Sequence, residues 1–481
     1  MAQSTSHSAP RIIPLHHHDS TLLLQAMVPH CSFVIDGALD PERLQRGLCT
    51  LAEKEGWEKI GARLKRRWNG QLEYYIPSKF TDVTPAIRFS QEQYDMDMKD
   101  HPVASKIPVS RPTEQPFVAG NFEEFNSFLF PQNTPKTILD YVGVDVPQVA
   151  LHVVVFNDAT ALSFSWPHTF CDGIAFMTLV QAWIMVMKKP DIKIPAPHGI
   201  YSDPLAILGQ NPTETYKGLD RALSSWQKLA YLSRSVPGSL FHSKASRIVC
   251  VPSSLIISLR KKALEDIQNM QNITTSFVSE ADVLFAWWAR LVFSCMAGNT
   301  NRTVNLVTTT SRREELSKDL LPPNSIYLSN AIGFVQTLTT EGELLKEPLG
   351  YTAYRIRQTV LEQNTRGQIE AQEALSRISI DGMPPWLGDV STQPLFATSM
   401  IMANLYRSMD FSCAARKDLL PKPKLAINPF YIHSYLDCGL VQLIAPVCVF
   451  LGKDPNGNYW VSANMRTTIW DCIEASLSKS E

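Results

Sequence analysis

Two histidines in the 481-residue chain stand four positions ahead of an aspartate, a spacing that acid–base chemistry can use. His168 and Asp172 lie in the stretch Pro167–His–Thr–Phe–Cys–Asp–Gly173, and His433 and Asp437 lie in a stretch rich in Pro and Tyr. With eleven histidines, about one such match is expected by accident, so the surroundings must separate them. The first follows a run of strand character and opens an apolar segment; the second has no helix behind it and reads as a loop. A histidine at the end of a buried strand loses water, which keeps its imidazole neutral and basic near pH 7. Such an imidazole can take a proton from a hydroxyl or amine as that group attacks an acyl carbon. No Ser or Cys nucleophile is required when the acyl carbon is already activated as a thioester. The plainer alternative is a satisfied core histidine followed by an aspartate that caps a helix, and it uses the same residues.

The elements around His168 are the clearest in the chain. Val149–Phe156 is rich in β-branched residues, Asn157–Asp158 is a turn signal, and Thr160–Trp166 is a second strand. Gly173–Lys188 reads as a helix ended by Lys188–Lys189–Pro190, with Asp172 favoured at its start by the free N–H groups there. Pro167 fixes the chain direction into the intervening loop, and Gly173 permits a tight entry into the helix. Elsewhere Leu22–Asp36 reads as an extended apolar segment, Pro41–Glu55 as a helix, Leu72–Ile76 as a strand, and residues 91–147 as loops with short elements. The proline-rich stretch from Lys189 to Glu214 divides two halves of similar size. The second half offers helices at Ser253–Asn269 and Ser279–Ala297, and β-like runs at Thr303–Thr310, Ala331–Thr339, Leu440–Phe450 and Tyr459–Met465. Strands outnumber the β-α-β pattern, which favours two α+β layers over a doubly wound parallel sheet. The expected units are residues 1–205, a crossover linker over 189–240, and residues 241–481.

Composition narrows the function classes. Lys plus Arg is 45 against 46 for Asp plus Glu, a formal charge of −1, so nucleic acid and anionic membrane are not expected partners. There are 32 Pro and only 22 Gly, and neither the dinucleotide-binding nor the P-loop glycine pattern occurs. The G-x-S-x-G elbow of serine hydrolases is also missing. Nine scattered cysteines without a C-x-x-C pair predict reduced thiols, no zinc site and a cytoplasmic protein. The N-terminal residues show no basic stretch followed by an apolar one, the C-terminal SKSE is no retention or lipid signal, and no apolar run reaches spanning length.

The stretch PHTFCDG, placed between strand and helix, resembles the HxxxDG signature of the BAHD acyltransferases, the acyl-CoA-dependent transferases of plant and fungal secondary metabolism. Other stretches resemble that family in the same order. These are Leu15–Asp19 (LHHHD), Gly61–Leu64 (GARL), the strand Val149–Phe156, Ser279–Arg290 (SEADVLFAWWAR), and Thr309–Arg313 with Leu321–Asn330. The resemblance runs from about residue 10 to 475. It implies two related mixed-sheet α+β domains of the CoA-dependent, chloramphenicol acetyltransferase-like type, with a central channel between them. It also implies acyl-CoA, acetyl-CoA first, as co-substrate with no permanently bound cofactor, a small hydroxylated acceptor as partner, and a monomer. His168 would be the general base. Asp172 would order the active-site loop with Gly173, paired with Arg312, with Arg313 as the alternative partner. The family's DFGWG motif is matched only by Asp410–Phe411–Ser412–Cys413–Ala414, where Asp410 would hold a loop. Thr398, Ser399 and Arg313 are the candidates for contacting the oxyanion or CoA.

Other residue clusters carry plainer readings. The side chains of His16, His17 and His18 diverge, and no spacing of Cys or carboxylates supports a metal site, so Asp19 reads as a loop-organising residue. Arg63, Lys65, Arg66 and Arg67 could meet CoA phosphates, although a solvated strand rim suits them better. Trp183, Trp287 and Trp288 read as core. Two alternatives to acyl transfer stand beside it, the first prompted by the altered DFSCA segment and the second by a related fold class. One is the same fold doing a non-acylating step, such as a cyclase or isomerase reaction, or serving as a binding protein. The other, and the weaker, is a condensation-type domain fed by a carrier protein.

Overall fold

The computed structural model describes residues 10–478 apart from 241, 271–276, 297, 381, 417, 419–425 and 438–444. Residues 1–9, residues 479–481, Cys438, Ala297 and the first part of the run Leu440–Phe450 lie outside the described residues. Two sheets dominate. A five-stranded sheet runs in the order Pro429–Asp437, Val28–Ile35, Thr160–Ser165, Ala150–Val155, Arg88–Gln93. A seven-stranded sheet runs in the order Ile332–Thr340, Thr303–Ser311, Gln393–Ser399, Val447–Lys453, Tyr459–Arg466, Lys244–Val251, Phe117–Asn121. Both are mixed, which fits the α+β expectation. Each half of the chain lends one strand to the other's sheet: Phe117–Asn121 pairs with Lys244–Val251, and Pro429–Asp437 pairs with Val28–Ile35. A small third sheet joins Arg11–Pro14, Leu72–Ile76 and Arg63–Arg66.

The strand that leads to His168 is central in the first sheet and buried at every position of Thr160–Ser165. Hydrophobic burial fixes it there: Leu162 and Phe164 are fully buried, and Phe164 meets Phe176 and Trp183 of the helix Gly173–Lys188 edge-on. That helix spans the residues its sequence predicts. Asp172 caps it by accepting from Ala175 N at 3.0 Å. Trp183 also ties it to Pro41–Ala52 by donating to Leu44 O at 3.0 Å.

Several expectations need correction. Leu22–Asp36 is not extended throughout: Thr21 caps a short helix, Leu22–Gln25, before the strand Val28–Ile35 begins. Residues 91–147 are loops with short elements, as expected, and one of these is the strand Phe117–Asn121, whose partner lies more than a hundred positions away. Residues 189–218 contain turns without helix or strand, but the linker range 189–240 ends in a helix, Ser225–Leu240. Two helices in the second half, Leu349–Gln363 and Arg366–Ile378, also escaped the reading. The thiols are not all free. Cys295, just past the helix Glu280–Ser294, and Cys472 in Thr467–Ser478 form a disulfide with their Cα atoms 5.6 Å apart. Packing of Trp288 against Trp470 brings those helices together, across a separation of 177 residues that no spacing rule reveals.

Candidate active site

His168 leaves the sheet where Trp166 N and His168 N donate to Pro29 O and Met27 O, so the neighbouring strand holds its backbone. Its side chain is half-buried. Nδ1 lies 3.0 Å from Asn330 Oδ1, and the His168 carbonyl oxygen accepts from Asn330 Nδ2 at 2.8 Å. With Nδ1–H given to the amide oxygen, Nε2 keeps its lone pair. Burial lowers the pKa of His168 below its ordinary value, and the Asp172 carboxylate, the ring's bond to its own backbone, the Asn330 bond and the Asp19 carboxylate only partly offset that. The imidazole is therefore neutral at pH 7, the state a base needs.

Asp172 does not face the same task. Its Oδ2 accepts from Arg313 Nη1 at 2.8 Å and from Ala331 N at 2.9 Å. Burial alone would raise its pKa; Arg313 and the backbone N–H groups outweigh burial and hold the carboxyl below the usual range. A carboxylate tied by three donors orders the loop, and its lowered pKa makes it a poor acceptor of a further proton. Arg313 also donates to Ser329 O at 2.7 Å, so the segment 327–331 from the second half straps the active-site loop of the first.

No model of a known protein family matches the chain. It is 34% identical over 482 residues to the Penicillium decumbens protein named transcriptional regulator calD, covering 98% of this chain and 96% of that one. It is 30% identical over 488 residues to acetyltransferase adrJ of Penicillium rubens, covering 99% and 97%. The fold matches that of F. sporotrichioides TRI101 complexed with coenzyme A and T-2, with a TM-score of 0.67, 15% identity, and 95% and 96% of the two chains covered. The chain belongs to the BAHD acyltransferase family.

The BAHD motif residues sit as follows. Arg312 is not the partner of Asp172: it turns the other way, to Glu373 and Gln372 on Arg366–Ile378, and Arg313 takes the carboxylate. Gly333, opposite the strand end, leaves room for that guanidinium, which a side chain there would strike. Gly173 has no left-handed backbone, and a Cβ on it would lie 2.5 Å from Met400 Cε, the tip of a flexible side chain that can shift aside. That contact brings the end of Gln393–Ser399 against the HxxxDG loop. Thr398 Oγ1 donates to Thr309 Oγ1 at 3.4 Å, and Ser399 Oγ accepts from Ile401 N at 3.5 Å. Asp410 accepts from Ser412 N at 3.0 Å, Ile427 N at 3.1 Å and Lys188 Nζ at 3.1 Å. Burial would raise its carboxyl, and those donors bring it down to about 2. It thereby fastens the DFSCA segment to the far end of the helix that begins at Gly173.

His433 is not in a loop. It sits in the strand Pro429–Asp437, fully buried, stacked on Phe122 and hydrogen-bonded to Tyr431, and burial depresses its pKa to about 3. The residues Tyr431, His433 and Tyr435 alternate along one face, a period of two that the sequence displays and that argues for a strand. Arg63 is not a solvated rim residue either. It is buried and donates to Asp145, Gly61 O and Pro85 O, whereas Lys65 and Arg66 are exposed. Trp183 and Trp288 are fully buried, and Trp287 is partly so. Among the described residues no group of His, Cys, Asp and Glu could hold a metal ion, and no helix is long and apolar enough to cross a membrane.

Three site residues carry no role in the sequence reading: Asn330, Lys59 and Glu373. The only signal for Asn330 was its place in Leu321–Asn330. Glu373 pairs with His18, whose Nε2 is 2.9 Å away. Burial lowers the pKa of His18, and the Glu373 carboxylate outweighs it, so the net shift is upward from 6.5. A group raised in the folded state adds stability that is complete below its unfolded pKa and disappears as pH rises through the folded one. The melting temperature should therefore fall as pH rises from about 6.5, and His18→Gln should flatten that fall. Parallel melting profiles of the two proteins between pH 6 and 9 would refute the assignment.

Proposed function

We propose that this chain transfers an acyl group, acetyl first, from acyl-CoA to a hydroxyl of a small secondary metabolite, with His168 as the general base. The observation that carries this reading is the bond from His168 Nδ1 to Asn330 Oδ1 at 3.0 Å, which leaves Nε2 as the proton acceptor. The family relatives named acetyltransferase, and the binding of coenzyme A and T-2 in TRI101, support the donor and the acceptor class. In the step, Nε2 takes the hydroxyl proton while the oxygen attacks the thioester carbon. The tetrahedral intermediate then collapses, the C–S bond breaks, and the imidazolium returns its proton to the departing thiolate as free CoA. The Ser399 hydroxyl, brought to the loop by the Met400–Gly173 contact, is the candidate donor to the oxyanion, a contribution commonly worth about 3–4 kcal/mol.

The division into residues 1–205 and 241–481 joined through 189–240 belongs to the same proposal. Acyl-CoA and acceptor would reach His168 from opposite ends of a channel between the two units. A cytoplasmic monomer is the expected setting. Incubation of the full chain with acetyl-CoA and an extract of hydroxylated metabolites should release free thiol at a rate that depends on the extract. Thiol release unaffected by any acceptor fraction would instead favour a non-acylating member of the fold.

A further inference from the structure

A pair of buried charges lies directly behind the site. Asp19 is 1% exposed and Lys59 is 4% exposed. The Lys59 ammonium donates to Phe170 O at 2.9 Å, Leu328 O at 2.8 Å and Ser329 Oγ at 2.8 Å, which uses all three of its hydrogens. It also stands 3.7 Å from Asp19 Oδ2. Burying either charge without the other would be far costlier than burying both. The pair therefore has to be explained by what it holds, and the other carboxylate oxygen shows what that is. Asp19 Oδ1 accepts from Asn330 N at 2.9 Å and from Asn330 Nδ2 at 2.7 Å.

The orientation of the Asn330 amide follows from its neighbours. One hydrogen of its NH2 goes to Asp19 and the other to the His168 carbonyl oxygen, and both of those are acceptors only. The amide oxygen is thus the group left facing Nδ1 of His168, and Nδ1 must carry the hydrogen. Turning the amide over would set its oxygen against a carboxylate and its NH2 against Nδ1. The imidazole would then hold its hydrogen on Nε2 and could not accept one from a hydroxyl. Asp19 supplies two of the contacts that forbid this.

We propose that Asp19 is a positioning residue for the base: its carboxylate, held in place by Lys59, fixes the Asn330 amide and through it the tautomer of His168 that keeps Nε2 free. The proposal rests on His168 as the base, but its direct readout does not. In the full chain labelled with 15N-histidine, the His168 signal, assigned by its loss in His168→Gln, should show hydrogen on Nδ1. In Asn330→Ala, and in Asp19→Leu combined with Lys59→Met to remove both charges together, that signature should give way to a mixture of tautomers. Transfer of acetyl from acetyl-CoA should fall roughly tenfold to a hundredfold in kcat, with little change in KM for acetyl-CoA. Hydrogen on Nε2 in the unaltered protein would overturn the proposal, and so would a folded double variant that keeps hydrogen on Nδ1. If the double variant does not fold, the unaltered protein and Asn330→Ala still decide. Retained transfer in His168→Ala would count against the base reading alone, because the tautomer is read independently.

Discussion

His168→Ala should reduce acyl transfer by about 10²- to 10⁴-fold in kcat, the usual worth of a positioned general base, and leave the melting temperature nearly unchanged. The fold survives because the strand Thr160–Ser165 and the helix Gly173–Lys188 hold the loop from both ends, and the side chain itself is half-buried. Asn330 loses one of its partners in the variant and keeps Asp19 and the backbone carbonyl at 168. The pH profile supplies a second mark. Burial lowers the pKa of His168, so the acid limb of kcat/KM should lie below about 6.5. A limb above that value, or full activity in the alanine variant, would sink the mechanism.

Arg313→Met should destabilise the protein by about 3–5 kcal/mol, the cost of stranding a buried carboxylate. Asp172 is 1% exposed, and the variant leaves it with two backbone N–H donors and no cation. Loss of the Arg313 bond to Ser329 O also loosens the strap over the loop, so activity should fall with stability. Acid denaturation gives the sign. Asp172 has a depressed pKa, so its contribution is present above about 3.9 and is lost as pH falls through the folded value. Without Arg313 that carboxyl protonates sooner, and the acid midpoint should move to higher pH. Restoring neutrality with Asp172→Asn in the same chain should recover part of the loss. A denaturation midpoint unchanged in Arg313→Met would show that the ion pair is not what orders the loop.

The parts of the site that sequence reveals are those set by local pattern. The strand, the loop and the helix around His168 announce themselves through β-branched residues, Pro167, Gly173 and an apolar run, and the helix bounds agree with the structure. What stays hidden is contact at long range. Asn330 meets His168 across 162 residues, and Lys59 reaches Ser329 across 270, distances over which no periodicity speaks. The choice between Arg312 and Arg313 shows a different limit. Arg312 precedes and Arg313 opens the short helix Arg313–Leu316 beyond the strand, where successive side chains stand about 100° apart, so the two cannot face the same way. Sequence cannot say which of them faces the loop, because both sides offer a carboxylate: Asp172 on one and Glu373 on the other. The strand around His433 is legible in principle from the alternation of Tyr431, His433 and Tyr435, which the neighbouring prolines and the lack of a following helix mask as a loop.

The exchange of strands between the two sheets bears on how a ribosome must make this protein. The segment 28–35 leaves the exit tunnel early, yet its antiparallel neighbour 429–437 is among the last strands translated. At ordinary elongation rates the wait is on the order of tens of seconds. During that interval one edge of an all-buried strand stands open, a template for pairing with other nascent chains. A chain stopped near residue 205 is therefore not a smaller working unit but four strands of a five-stranded sheet, with Val28–Ile35 left at an open edge. Cell-free synthesis of successively longer chains should yield protease-resistant protein only after residue 437 has emerged.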